Sequence, residues 1–129
     1  MTSILIFDYP IVSYGIRMFV KDFFPGRPIL HAATLEEAMD RIINEGVGLV
    51  VMDISIRIER DMDIIDVFRK IKNDICILIF TGKNKKKYGD LYLNAGADAF
   101  LTKRSSSEEY QVVINQILAE NQYGEDDIL

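Results

Sequence analysis

Leu49-Val-Val-Met52 is an unbroken apolar run that stops at a single carboxylate, Asp53. A short run without polar alternation reads as a strand buried on both faces, which requires a sheet covered by helices on either side. The flanking segments supply those helices. Upstream, Thr34-Leu-Glu-Glu37 fits a capping box ahead of Ala38, Met39, Ile42 and Ile43, and Asn44-Glu-Gly-Val-Gly48 stops the helix. Downstream, a polar stretch over residues 55–63 leads into a helix carrying Ile64, Ile65, Val67, Phe68 and Ile71 on its inner face.

The same alternation repeats toward both ends. Ser3-Ile-Leu-Ile-Phe7 is a second buried strand, followed by Asp8-Tyr-Pro10 and a helix with Ile11, Tyr14, Ile16, Phe19, Val20 and Phe23 at helical spacing. Phe24-Pro-Gly-Arg-Pro28 breaks it, and Ile29-Leu-His-Ala32 makes a short strand. Ile75-Cys-Ile-Leu-Ile-Phe80 is the next strong strand and ends at Thr81-Gly82. A helix over residues 83–95 closes at Gly96, and Asp98-Ala-Phe-Leu101 leads to Thr102-Lys103. Ser105, Ser106, Ser107, Glu108 and Glu109 suit a helix N-terminus, with Tyr110, Val113, Ile114, Ile117 and Leu118 as the apolar stripe behind it. The pattern is βαβαβαβαβα, an α/β chain with a parallel sheet between two helical layers.

At 129 residues there is room for one domain with a core of its own. The net charge of −5 comes from 15 bases and 20 acids, and four of those acids (Glu120, Glu125, Asp126, Asp127) fall in the last ten residues. The first 119 residues hold 16 acids against 15 bases, so the body is nearly neutral and offers nucleic acid no net basic face. One cysteine, Cys76, excludes an intramolecular disulfide and a multi-cysteine zinc site, and its place in an apolar run makes it a small core residue. No run is long enough to span a membrane and no basic, apolar leader opens the chain, so the expected compartment is the cytoplasm. The lone His31 is a structural or edge residue, and Lys83, Lys85, Lys86 and Lys87 form a solvated cationic segment.

In open parallel sheets the ligand crevice lies beyond the carboxyl ends of the strands. Asp8, Asp53, Thr81 and Lys103 all follow strands directly. Each alone would pass as a cap or turn residue; together they fit phosphoryl transfer to a carboxylate. Paired carboxylates can hold Mg²⁺, one of them can be the nucleophile, and an ammonium and a hydroxyl can take phosphate oxygens. Arg57 and Arg60 can pair with Asp61 or Asp63 or orient phosphate.

Over residues 3–121 the chain resembles the receiver domain of two-component response regulators. The matching motifs are Ile-Leu-Ile-Phe-Asp8-Tyr-Pro10, Leu-Val-Val-Met-Asp53-Ile-Ser55, Ile-Leu-Ile-Phe-Thr81-Gly and Ala95-Gly-Ala-Asp-Ala-Phe-Leu-Thr-Lys103. The resemblance implies a flavodoxin-like, three-layer doubly wound fold with five strands in the order 2-1-3-4-5 and five helices. It implies Asp53 as phosphoacceptor; Asp8, Asp53 and the backbone carbonyl of Ser55 as Mg²⁺ ligands; Thr81 and Lys103 as phosphate-binding groups; and Thr81 with Phe100 as switch residues. Such a domain catalyses its own phosphorylation from a histidine kinase or phosphotransfer protein, without turnover of a free substrate, and reshapes the face of the fourth helix, fifth strand and fifth helix. Homodimerisation is left open, and no membrane contact is implied.

Tyr9-Pro10 and Gly15-Ile16-Arg17 look like the NarL/FixJ subfamily, whose members carry a LuxR-type DNA-binding output domain. On that likeness residues 1–121 are the receiver. Residues 122–129, an acidic tail, begin a linker to an output domain absent from this chain, through which alone it would reach DNA. Two departures stand out. Phe7 occupies the first of two positions that are usually acidic, which implies weaker Mg²⁺ binding, and Ile56-Arg57 stand where Met-Pro is usual. The alternative is therefore a pseudo-receiver that binds proteins without being phosphorylated. Enzymes on related sheets fit less well. Flavodoxins need a Gly/Ser/Thr-rich loop after the first strand, and dehalogenase-type phosphatases an Asp-x-Asp that neither Asp8-Tyr-Pro10 nor Asp53-Ile-Ser55 supplies.

Overall fold

The computed structural model describes residues 3–7, 13–53, 58–81, 88–102 and 104–120. Strands and helices alternate as the apolar runs require: β1 (Ser3–Phe7), α1 (Ser13–Phe23), β2 (Ile29–Ala32), α2 (Leu35–Asn44), β3 (Val47–Asp53), α3 (Ile58–Ile71), β4 (Cys76–Thr81), α4 (Gly89–Asn94), β5 (Ala99–Thr102) and α5 (Ser107–Glu120). All strand pairs are parallel and the sheet order is β2-β1-β3-β4-β5. This is the doubly wound order, with β1 and β3 side by side at the point where the winding reverses.

The two-residue period of the strands sorts their side chains into two cores. Leu5, Phe7, Val50, Met52, Ile77 and Ile79 pack with Ile42, Ile65, Phe68 and Tyr92 of α2, α3 and α4. Ile4, Ile6, Leu49, Val51, Cys76, Leu78 and Phe80 pack with Val20, Phe24, Ile114 and Ile117, so α1 and α5 cover the other face. Cys76 is buried there, as its apolar surroundings predict. Among the described residues no helix is long and apolar enough to cross a membrane.

Local chemistry sets the helix ends. The Glu37 amide donates to Thr34 Oγ1 at 3.2 Å, while Glu37 Oε2 reaches one residue beyond the cap to the Ala33 amide. Ser106 and Glu109 form a reciprocal box at the start of α5: each side chain accepts from the other's backbone N–H. Gly96, at φ 116°, ends α4 in a conformation that L side chains rarely adopt.

β4 and β5 lie one residue later than expected and α4 ends one residue earlier, while β3 and α3 depart further. β3 begins at Val47, not Leu49, because the helix stop is confined to Glu45 and Gly46 and leaves Gly48 free to join the strand. α3 begins at Ile58, so most of the polar stretch expected to precede it is helical, and only residues 54–57 separate it from β3. Arg60 and Asp63 face solvent, which is why that turn looks polar in the sequence. Pro10 and the lysines at 83, 85, 86 and 87 lie outside the described residues.

Candidate functional site

Three adjacent strands end on polar residues. β3 closes on Asp53, β4 on the buried Thr81 and β5 on the buried Thr102, with Thr81 directly opposite Thr102 and Asp53 opposite Phe80. Adjacent strands stand about 4.8 Å apart, so these ends form one continuous ledge along the carboxyl edge of the sheet. Asp53 is half-buried at the last position of β3. Asp8, Ser55 and Lys103 lie outside the described residues; Asp8 follows Phe7, Ser55 follows Asp53 by two, and Lys103 follows Thr102.

Asp53 brings to this edge a carboxylate, the donor type that a hard divalent cation prefers. Among the described residues no three acidic, histidine or cysteine side chains gather into a metal cluster. Asp98 is committed elsewhere, bound to Arg69 and to the Ile77 amide. The Phe7 ring does not enter the crevice as an acid would. It is 9% exposed and packs edge-to-face on Phe68, with centroids 5.7 Å apart, so this position serves the core.

Behind the ledge lie contacts that the sequence reading passed over. Asp61, in α3, is 2% exposed, and its Oδ2 accepts a 2.6 Å hydrogen bond from the hydroxyl of the fully buried Tyr92 in α4. Burial first, and then the Asp61 carboxylate, push the Tyr92 hydroxyl well above the ordinary tyrosine range, so it remains a donor. The Tyr92 ring stacks on Phe100, the expected switch aromatic, with centroids 6.0 Å apart. Phe100 also leans over Gly89, where an added Cβ would stand 3.3 Å from the ring. A signal for Asp61 was present: it precedes Ile64, Ile65 and Phe68 by three, four and seven residues, the spacing of one buried stripe.

On the opposite face of the sheet the hydroxyl of Tyr110 donates to the Thr102 carbonyl at 2.8 Å. Its ring stacks on Phe23 and Phe80. Burial and, secondarily, Glu109 raise the pKa of this hydroxyl. Ser105 secures the same turn, since its Oγ accepts from the Thr102 amide at 2.9 Å. The residue before Lys103 is therefore held from two sides.

The family model of the response regulator receiver domain matches residues 4–115. The transcriptional activator protein ExaE of Pseudomonas putida is 25% identical over 123 residues, which cover 95% of this chain and 58% of that protein. The chain thus spans less than two thirds of that relative's length. A CheY-like receiver domain from Methanospirillum hungatei is 24% identical, with a TM-score of 0.72 over 95% of this chain and 97% of that one. A response regulator from Burkholderia pseudomallei, solved with a phosphorylated aspartic acid, a calcium ion and citrate, is 20% identical, with a TM-score of 0.68 over 97% of this chain and 73% of that one. These likenesses show the fold, and the match over 4–115 shows the family. The ledge of Asp53, Thr81 and Thr102 lies in a chain that belongs to the response regulator receiver domain family.

Proposed function

We propose that this domain accepts a phosphoryl group on Asp53 from a histidine kinase or phosphotransfer protein. The observation that carries the reading is the ledge itself: Asp53, Thr81 and Thr102 close three neighbouring strands, and Lys103 follows at once. A carboxylate oxygen of Asp53 attacks phosphorus as the bond to the donor imidazole breaks, and the imidazole leaves to take a proton from water. The Thr81 hydroxyl donates to one phosphoryl oxygen and the Lys103 ammonium pairs with another. Asp8, Asp53 and the Ser55 carbonyl would hold Mg²⁺. Its charge would offset the repulsion between carboxylate and phosphoryl donor, about 4 kcal/mol per charge pair at 4 Å and an effective dielectric constant of 20.

The phosphoryl group, which itself carries a charge of about −2, then draws Thr81 and Lys103 inward and moves Phe100. The surface this would alter is formed by α4, β5 and α5, where Leu91, Leu93 and Val112 stand exposed. That surface is what the domain offers an output domain or a second copy of itself. A transcriptional output, of the NarL/FixJ kind that Tyr9-Pro10 suggests, is supported by the name and greater length of the Pseudomonas putida relative. On this reading residues 1–121 are the receiver, residues 122–129 begin the linker, and the protein works in the cytoplasm.

The burial of Phe7 favours one second reading, a pseudo-receiver that acts by binding alone. Incubation with acetyl phosphate and Mg²⁺, read by intact mass, separates the two. A gain of one phosphoryl group, absent in Asp53→Ala, is the expected result. No gain at millimolar Mg²⁺ supports the pseudo-receiver, and multiple turnover of a small phosphate ester would point to a phosphatase.

A further inference from the structure

The Asp61–Tyr92 hydrogen bond joins two helices that begin just after the ledge. α3 starts five residues beyond Asp53 and α4 eight residues beyond Thr81. Neither partner is accessible: Asp61 is 2% exposed and Tyr92 is fully buried. Replacing a buried polar pair by apolar residues of similar volume is often neutral or stabilising, so stability alone gives little reason for a carboxylate here. A place where packing rules are broken is where function is expected. What the pair touches gives it a role. Tyr92 stacks on Phe100 at 6.0 Å, with 27° between the ring planes, while Gly89 supplies the space beside the same ring. Phe100 is half-buried, a ring with core on one side and solvent on the other.

We propose that Asp61 and Tyr92 are positioning residues: their hydrogen bond fixes the Tyr92 ring that holds Phe100 against α4, so that a charge placed on Asp53 reaches the α4–β5 surface through α3 as well as through β4. This rests on Asp53 being the phosphoacceptor. A tilt of the first turns of α3 moves Asp61, the 2.6 Å bond carries the movement to Tyr92, and the stacked ring passes it to Phe100. Such a path needs an element with two arrangements, the part that the proposed movement of the Phe100 ring supplies.

The test places fluorophenylalanine at position 100 of the full chain and records its ¹⁹F resonance with and without beryllofluoride and Mg²⁺. Tyr92→Phe keeps the ring and deletes the hydroxyl. It is expected to displace the ligand-free resonance and to reduce the beryllofluoride-induced shift by at least half, with beryllofluoride still binding. Asp61→Asn, which keeps an acceptor, is expected to give a smaller displacement in the same direction, and it decides the matter if Tyr92→Phe does not fold. Wild-type resonances in the variants, free and bound, overturn the proposal. If the wild type itself ignores beryllofluoride, the phosphoacceptor reading fails and the relay from Asp53 fails with it. The ligand-free spectra of the same variants then still show whether the pair positions Phe100.

Discussion

Arg69, near the end of α3, places its guanidinium 2.6 Å from the carboxylate of Asp98, just ahead of β5. The same side chain donates to the carbonyls of Gly96, Asn73 and Ile75, and Asp98 in turn accepts from the Ile77 amide at 2.7 Å. One planar fork thus closes the amino-terminal edge of β4 and β5, opposite the ledge of Asp53, Thr81 and Thr102. Arg69→Ala is expected to cost about 2–4 kcal/mol, because several charge-assisted bonds to partly buried carbonyls are lost together. Arg69→Lys should recover less than half of this, since an ammonium cannot reproduce the fork. Urea unfolding measures it: a lower midpoint with unchanged slope is expected, and a midpoint within experimental error of the wild type would refute it.

That clamp marks where sequence reading stopped. The strands were legible because Leu49-Val-Val-Met52 and Ile75-Cys-Ile-Leu-Ile-Phe80 leave no other reading, and Thr34 and Ser106 announce their helices through local hydrogen bonds. The ledge was legible because a carboxylate and a hydroxyl directly after apolar strands have no packing purpose. Arg69 and Asp98 are 29 residues apart, and Asp61 and Tyr92 are 31 apart. Nothing local distinguishes Arg69 and Asp98 from solvated charges, and the stripe that Asp61 shares with Ile64, Ile65 and Phe68 does not name Tyr92 as its partner. Gly48 looked like part of a helix stop because glycine usually breaks structure, but within β3 its strand neighbours decide.

Phe7 is the departure whose consequence can be measured most directly. Its ring, 9% exposed and packed on Phe68, contributes to the core formed with α2, α3 and α4. Phe7→Asp is expected to lose about 3–5 kcal/mol of stability without metal, the usual cost of removing a core aromatic. It should also bind Mg²⁺ more tightly and regain part of the lost stability as Mg²⁺ is added, because a ligand of the folded state alone stabilises it. Calorimetric titration of both chains checks this; equal Mg²⁺ affinities would show that Phe7 does not limit the site.

His31 predicts a pH dependence. On the edge strand β2, burial first and the Arg17 charge second hold its pKa below the ordinary 6.5. The folded chain therefore keeps the imidazole neutral at pH values where the unfolded chain already binds a proton. This contribution is complete above about pH 6.5 and is lost as pH falls from there toward the lowered folded value. Thermal midpoints between pH 5 and 8 should fall more steeply on acidification in the wild type than in His31→Gln, with Arg17→Gln in between. Parallel curves for wild type and His31→Gln would contradict it.

Tyr110 braces both strand ends that would receive the phosphoryl group. Its ring stacks 6.4 Å from Phe80, which precedes Thr81, and its hydroxyl holds the carbonyl of Thr102, which precedes Lys103. Tyr110→Phe removes a single partly buried hydrogen bond, so the stability loss should be near 1 kcal/mol. The expected effect on reactivity is larger: a slowing of Asp53 labelling by acetyl phosphate of about 3–10-fold, because small errors in placing a charge-stabilising group are costly. Tyr110→Leu also breaks the stacks on Phe23 and Phe80, and it should lose more stability without a proportionate further drop in rate. Initial rates from intact mass, set beside urea midpoints for both variants, separate the two contributions. If Tyr110→Phe is labelled at the wild-type rate, the hydroxyl serves the fold and the Lys103 turn is positioned without it.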